Sequence, residues 1–228
     1  MRNRHPLRAR RKSPGPSVPS LLVLHLDTEK LRTDGLSFEP TVEALAALGR
    51  FVGRVATVTT TTHRELLDSL GAIHGQTFDA VVVVAHSNTE RIRIANDQVV
   101  EWPAFAEYLK PFKPRRMVLI ACKAGRWTGA RAIFAKLPAL RRLYAAPTNV
   151  RVMHAAAMLG LGASLAAWKI PDRGLLDLLR VGVAVADGGQ VREWLRGEAF
   201  DPDGRALDDL ADAAEPVLRA VANALRPR

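Results

Sequence analysis

The chain has 228 residues, 48% of them apolar and 25% charged, a composition that excludes a fibrous or wholly disordered protein and suffices for one α/β domain with its own core. Its net charge is +10, but Arg2, Arg4, Arg8, Arg10, Arg11 and Lys12 lie at the start with no acid among the first twenty residues, so any affinity for nucleic acid belongs to that tail and not to the domain. The single cysteine, Cys122, excludes an internal disulfide framework and a thiolate zinc cluster and points to a reducing compartment.

Residues 1–20 are predicted to form a disordered basic arm, because Ser13-Pro14-Gly15-Pro16-Ser17-Val18-Pro19 cannot hold a helix and no apolar stretch makes it a signal peptide. From residue 21 to 228, short apolar strands alternate with amphipathic helices, the pattern of a mostly parallel sheet covered on both faces. The first strand is predicted over Leu21–Leu26, ending at Asp27, and a helix over 41–51 with Val42, Leu45, Leu48 and Phe51 on its apolar stripe. A second strand, Val55–Thr59, leads to a helix near His63, where Thr62 and Glu65 have capping-box spacing. The third strand, Asp79–Ala85, carries four consecutive valines, as a central parallel strand buried on both faces requires.

Ile92, Ile94, Val99 and Val100 alternate about Asn96-Asp97, which predicts a small hairpin outside the main sheet. A helix is predicted from Pro103 to Leu109, a fourth strand over Met117–Ala121, a helix over Gly129–Leu140 and a fifth strand over Leu143–Ala146. The longest uncharged stretch, Val152 to Trp168, is at the short limit for a membrane span and contains His154 and glycines, so a buried helix followed by a strand is expected and no membrane partner. The segment 172–228 reads as helical, with a helix at 174–180 and a terminal one over about 207–225.

In an open parallel sheet, reacting groups collect at the carboxyl ends of the strands. Two strands end in His86 and Cys122, 36 residues apart, which is room for a hairpin and one crossover helix. An imidazole beside a thiol can take its proton and make it a nucleophile, and the backbone amides of Ser87 and Cys122 can hold an oxyanion. By composition and strand position alone, the reading of Cys122 as a small buried hydrophobe and His86 as a satisfied polar residue is favoured, because free cysteines are mostly structural. Asp27, Asp97 and Glu101 are candidate pocket acids for a basic substrate side chain. His25, His154 and the four tryptophans read as packing residues. No Walker loop, GxSxG elbow, HExxH helix or paired ligand set occurs, so neither metal nor organic cofactor is expected.

These pieces together resemble the caspase-like cysteine peptidase superfamily: Leu48-Gly49, the run Thr61 to Leu70, Val81-Val82-Val83-Val84-Ala85-His86-Ser87 and Val118-Leu119-Ile120-Ala121-Cys122-Lys123-Ala124-Gly125, in that order. Alanine before the cysteine, glycine three residues after it, and the segment Ala163 to Asp172 with Trp168 are similar to its CHAT branch. The resemblance spans roughly 21–172. It implies a caspase-like three-layer α/β sandwich and a cysteine endopeptidase acting on peptide substrates, with His86 and Cys122 as the catalytic dyad. It also implies an effector module switched by an activating partner or by homodimerisation, and the heavy use of Ala, Arg and Leu points to a GC-rich bacterial genome and so to the cytoplasm. The chain departs from the family pattern at Ser87, where glycine usually follows the histidine, and at Ile120, where relatives carry a specificity residue. The alternative expectation is a catalytically inactive caspase-like fold that binds protein, or nucleic acid through the 1–12 arm.

Overall fold

Consecutive β-branched and leucine side chains fit a pleated sheet buried on both faces, and the strands form where such runs stand. The structure is a computed structural model and describes residues 20–33, 39–40, 42–43, 47, 54–96, 98–150 and 190–224. Its central sheet contains β1 (Ser20–Leu26), β2 (Arg54–Thr60), β3 (Ala80–Val84), β6 (Arg116–Ile120), β7 (Arg142–Ala145) and β8 (Arg192–Leu195), in the order β2-β1-β3-β6-β7-β8. The first five are parallel and β8 is antiparallel to β7. A separate antiparallel ribbon pairs β4 (Arg91–Arg93) with β5 (Val99–Glu101), the hairpin that alternation about Asn96 predicts.

Every residue of β3 is fully buried. Val81 and Val83 share a core with Leu22, Leu24, Met117 and Leu119 and with helix residues. Those come from α2 (His63–Ala72), α3 (Trp102–Leu109) and α4 (Trp127–Lys136), through Leu66, Phe105, Leu109, Ile133 and Phe134. The alternate residues Val82, Val84, Val118 and Tyr144 are equally buried. The capping box at α2 forms: Thr62 Oγ1 accepts the Glu65 N–H while Glu65 accepts the Thr62 N–H, each at 3.2 Å. Trp102 and Trp194 are core residues and His25 is 1% exposed within β1, as expected.

Some boundaries and elements differ from the sequence reading. Ser20, expected at the end of the arm, opens β1, where its N–H and hydroxyl reach Asp79 Oδ2 at 3.0 and 3.2 Å. A short α1 (Thr28–Thr33) follows β1, and β8, with the turn α5 (Arg196–Ala199), has no counterpart in the expected pattern. The polar string Arg192-Glu193-Trp194-Leu195 carries no strand signal of its own and is ordered by β7 and the Arg142–Glu193 pair at 2.6 Å. The terminal helix α6 (Ala206–Ala224) matches its expected range closely. The arm up to residue 19, most of the expected helix over 41–51, the segment 152–170, the helix at 174–180, His154 and Trp168 lie outside the described residues. Among the described residues, no helix is long and apolar enough to cross a membrane.

Candidate active site

The chain runs from β1 outward to β2, then crosses back to β3 on the other side of β1. In open parallel sheets the carboxyl ends of strands near such a reversal, here β1 and β3, are where ligands are placed. β3 and β6 are neighbours, Val84 lies opposite Ile120, and the last ladder bond runs from the Ala85 N–H to the Ile120 carbonyl at 3.2 Å. His86 and Cys122 each stand two residues past that registered pair. They leave the sheet at one edge from strands about 4.8 Å apart, and both are partly exposed.

The two strand ends are tied directly. Ser87 Oγ donates to the Cys122 carbonyl at 2.5 Å. Ser87 also faces Ile92 in an antiparallel bridge whose two hydrogen bonds come from neighbours, Arg93 N–H to His86 O and Asn88 N–H to Arg91 O, both 2.9 Å. The Ser87 N–H is therefore turned away from the hairpin. Neither it nor the Cys122 N–H donates to an acceptor among the described residues. The other amides of the turn are engaged: Lys123 N–H with Thr148 O at 2.9 Å, Gly125 N–H with Ala146 O at 2.7 Å, and Ala124 N–H with Ala121 O at 3.4 Å.

Residues 146–150 complete the surroundings of the thiol. The Val150 N–H donates to Cys122 Sγ at 3.4 Å, a contact that stabilises negative charge on sulfur. Lys123 adopts φ +57, a left-handed conformation that turns the chain sharply after the cysteine. Gly125 is demanded by space, because a Cβ there would lie 2.7 Å from the Ala145 carbonyl oxygen. The glycine three residues after the cysteine thus has a local steric reason. A thiol and an imidazole at neighbouring strand ends, with two unengaged amides beside them, are the groups that nucleophilic acyl transfer uses.

The candidate pocket acids separate. Asp27, at the end of β1, is fully buried with φ +53, and its carboxylate pairs with Arg93 Nε at 3.4 Å. Glu101 is exposed on β5 opposite Arg91. Asp97 lies outside the described residues. A cavity of about 190 Å³ beside the histidine is lined, among the described residues, by His86, Ser87, Asn88, Arg91, Arg93 and Val99, a basic wall that includes neither Asp27 nor Glu101. A larger cavity, about 660 Å³, opens at the opposite end of the strands between Ser20, Asp79 and Arg115. No cluster of metal-ligating side chains occurs among the described residues. Sequence reasoning missed Val150 and Arg93, whose roles arise only where distant segments meet.

No known family profile matches the chain, and no curated protein matches it. Solved structures do. Iotapain, a secreted C11 cysteine protease from Bacteroides thetaiotaomicron, superposes with a TM-score of 0.60 at 11% identity, over 82% of this chain and 68% of its own. An inactive zymogen C11 protease from Parabacteroides distasonis gives 0.57 at 8% identity, over 82% and 64%. The chain therefore spans about two thirds of the length of these two proteins. What is shared at such identity is the architecture: a six-stranded, mostly parallel sheet flanked by helices, the caspase-like fold of the C11 cysteine proteases.

Proposed function

We propose that the chain is a cysteine endopeptidase in which Cys122 is the nucleophile and His86 the general base and then acid. The observation that supports this most is the convergence of His86 and Cys122 at adjoining ends of β3 and β6, tied by the Ser87–Cys122 hydrogen bond, on a fold shared with cysteine proteases. In the reaction, Sγ adds to the scissile carbonyl as its proton passes to the imidazole. The oxyanion rests on the Ser87 and Cys122 N–H groups. Collapse breaks the C–N bond, His86 delivers the proton to the departing amine, and a thioester remains. Water activated by the same imidazole then hydrolyses it and frees the thiol. Asp27, Asp97 and Glu101 enter as acids for a basic substrate side chain, and for Asp27 this requires Arg93 to move aside.

The finer reading is a bacterial, cytoplasmic effector nearest to the CHAT branch, acting on a protein or peptide and switched by a partner or by dimerisation. The competing reading is an inactive caspase-like binding module, favoured by the β-carbon that Ser87 brings next to the oxyanion position. Iodoacetamide separates them, because Cys122 is the only thiol. The enzyme is expected to label faster at neutral pH than an ordinary cysteine, His86→Ala to slow the labelling, and Cys122→Ala to abolish cleavage of a peptide library while the protein stays folded. A thiol that labels no faster than free cysteine, and is indifferent to His86→Ala, leaves only the fold.

A further inference from the structure

A buried arginine four residues beyond Cys122 joins three segments of the chain. Arg126 is the N-cap residue of α4 and its side chain is only 10% exposed. Its Nε donates to the Pro147 carbonyl at 2.7 Å, and its Nη1 to the Asp208 carbonyl at 3.1 Å and to Asp212 Oδ2 at 2.8 Å. Nη2 takes the other Asp212 oxygen. This is the forked, planar pairing that a lysine cannot copy. Asp212 holds the Arg126 guanidinium well on the protonated side, and Arg126 draws the Asp212 carboxyl below its ordinary range.

Pro147 belongs to the segment that surrounds the thiol. Ala146 O and Thr148 O accept the Gly125 and Lys123 N–H groups, and two residues further the Val150 N–H reaches the sulfur. Whatever fixes Pro147 against the turn 122–126 therefore fixes the Val150 N–H against Sγ. Helix α6 adds a second tie: the Asp208 carboxylate accepts the Trp127 N–H at 3.0 Å, at the start of α4, and pairs with Arg192 Nη1 at 2.7 Å.

We propose that Arg126 and Asp212 are positioning residues for Cys122, through which the C-terminal helix holds the Val150 N–H on the sulfur and sets the reactivity of the thiol. The inference rests on Cys122 being the nucleophile and adds that its competence depends on an ion pair formed 86 residues apart in sequence. A carboxylate that is 58% exposed on the surface of α6 thus acts at a distance on the strand-end turn. It is also where a partner that binds α6 would gain control of the site.

The test uses the full chain and two substitutions with opposite defects. Asp212→Asn keeps the shape and loses the charge; Arg126→Lys keeps the charge and loses the fork. Both are expected to slow carbamidomethylation of Cys122 at pH 7 about fivefold, the factor for one net hydrogen bond, while near-ultraviolet circular dichroism shows a folded protein. Asp212→Glu restores most of the rate. Glu193→Gln, which breaks the Arg142 pair at the β7–β8 edge, lowers Tm without changing the rate. A merely structural Arg126 would slow labelling in all variants in step with Tm and gain nothing from glutamate. Labelling of folded Asp212→Asn and Arg126→Lys at the wild-type rate or faster overturns the proposal, as does equal slowing in Glu193→Gln. If the wild-type thiol is fast and Asp212→Asn equally fast, only the positioning role falls. If the wild-type thiol is no faster than free cysteine, the nucleophile reading falls with it.

Discussion

One hydrogen bond sets the role of the Ser87 side chain. Its β-carbon brings a hydroxyl that reaches the Cys122 carbonyl and welds the two strand ends, while its own N–H stays turned outward. Ser87→Gly keeps that amide and removes the weld. The expected loss is about 1–2 kcal/mol, from one hydrogen bond plus the added backbone freedom of glycine, read as a lower urea midpoint. Arg93 carries a larger share. It faces the fully buried Asp27 and is itself 30% exposed, so Arg93→Ala withdraws a partly exposed guanidinium from a desolvated carboxylate. The expected cost is about 2–3 kcal/mol, below the ~3–5 of a pair buried on both sides. Asp27→Asn in the Arg93→Ala background recovers part of it, because a neutral amide is cheaper to keep out of water than a carboxylate. A double-mutant cycle by urea unfolding measures the coupling, and independent, additive losses would show that the pair contributes nothing.

At the level of elements, the turn after Cys122 is held by contacts that tolerate no added atom. Gly125 donates to Ala146 O, accepts the Trp194 indole N–H at 2.8 Å, and lies against the β7 backbone. Gly125→Ala would put a methyl group 2.7 Å from a backbone oxygen and 2.8 Å from a carbonyl carbon, and neither belongs to a side chain that can swing away. Overpacking of this kind costs about 1–3 kcal/mol. Here it also displaces the residues that precede the Val150 N–H, so the labelling rate of Cys122 is expected to fall together with Tm. Gly71, with open space around its Cβ position on α2, is the contrasting site: Gly71→Ala adds helix propensity and is expected to raise Tm slightly.

For the whole molecule, acid acts in two stages. His25 is buried in β1, which lowers its pKa from the ordinary 6.5, with Glu39 partly opposing the shift. The unfolded chain then takes up a proton that the folded one resists, so stability falls as pH drops below about 6.5 and stops falling below the lowered native value. Asp212 beside Arg126, Glu65 on the Thr61 and Thr62 amides, and Glu107 between Lys136 and Lys110 all have lowered pKa values. Their contribution is complete above the ordinary carboxylate range near 4 and is lost as pH falls through the native values. Urea midpoints at pH 8, 5.5 and 3.5 are expected to decline at both steps, and His25→Leu to flatten the first one only. A midpoint that does not change between pH 8 and 5.5 would contradict a histidine held neutral by burial.

The amino-acid sequence by itself determined the parallel strands of the sheet, the hairpin, and what stands at the ends of β3 and β6. Four valines in a row, Met117 to Ile120 and the Thr62–Glu65 box carry their conformations in local pattern, and His86 and Cys122 follow such strands directly. Their meeting at one edge is a consequence of neighbouring parallel strands that the apolar runs already implied. Only the tertiary structure decided how the charges around the site are matched. Asp27, a candidate pocket acid in the sequence, is buried against Arg93 of the hairpin, and nothing local to Arg126 tells that Asp208, Asp212 and Pro147 surround it. β8 likewise exists because β7 offers it an edge. The reason is range: a strand is written by the spacing of adjacent side chains, whereas burial and pairing of a charge depend on segments that meet only after the chain has crossed the sheet.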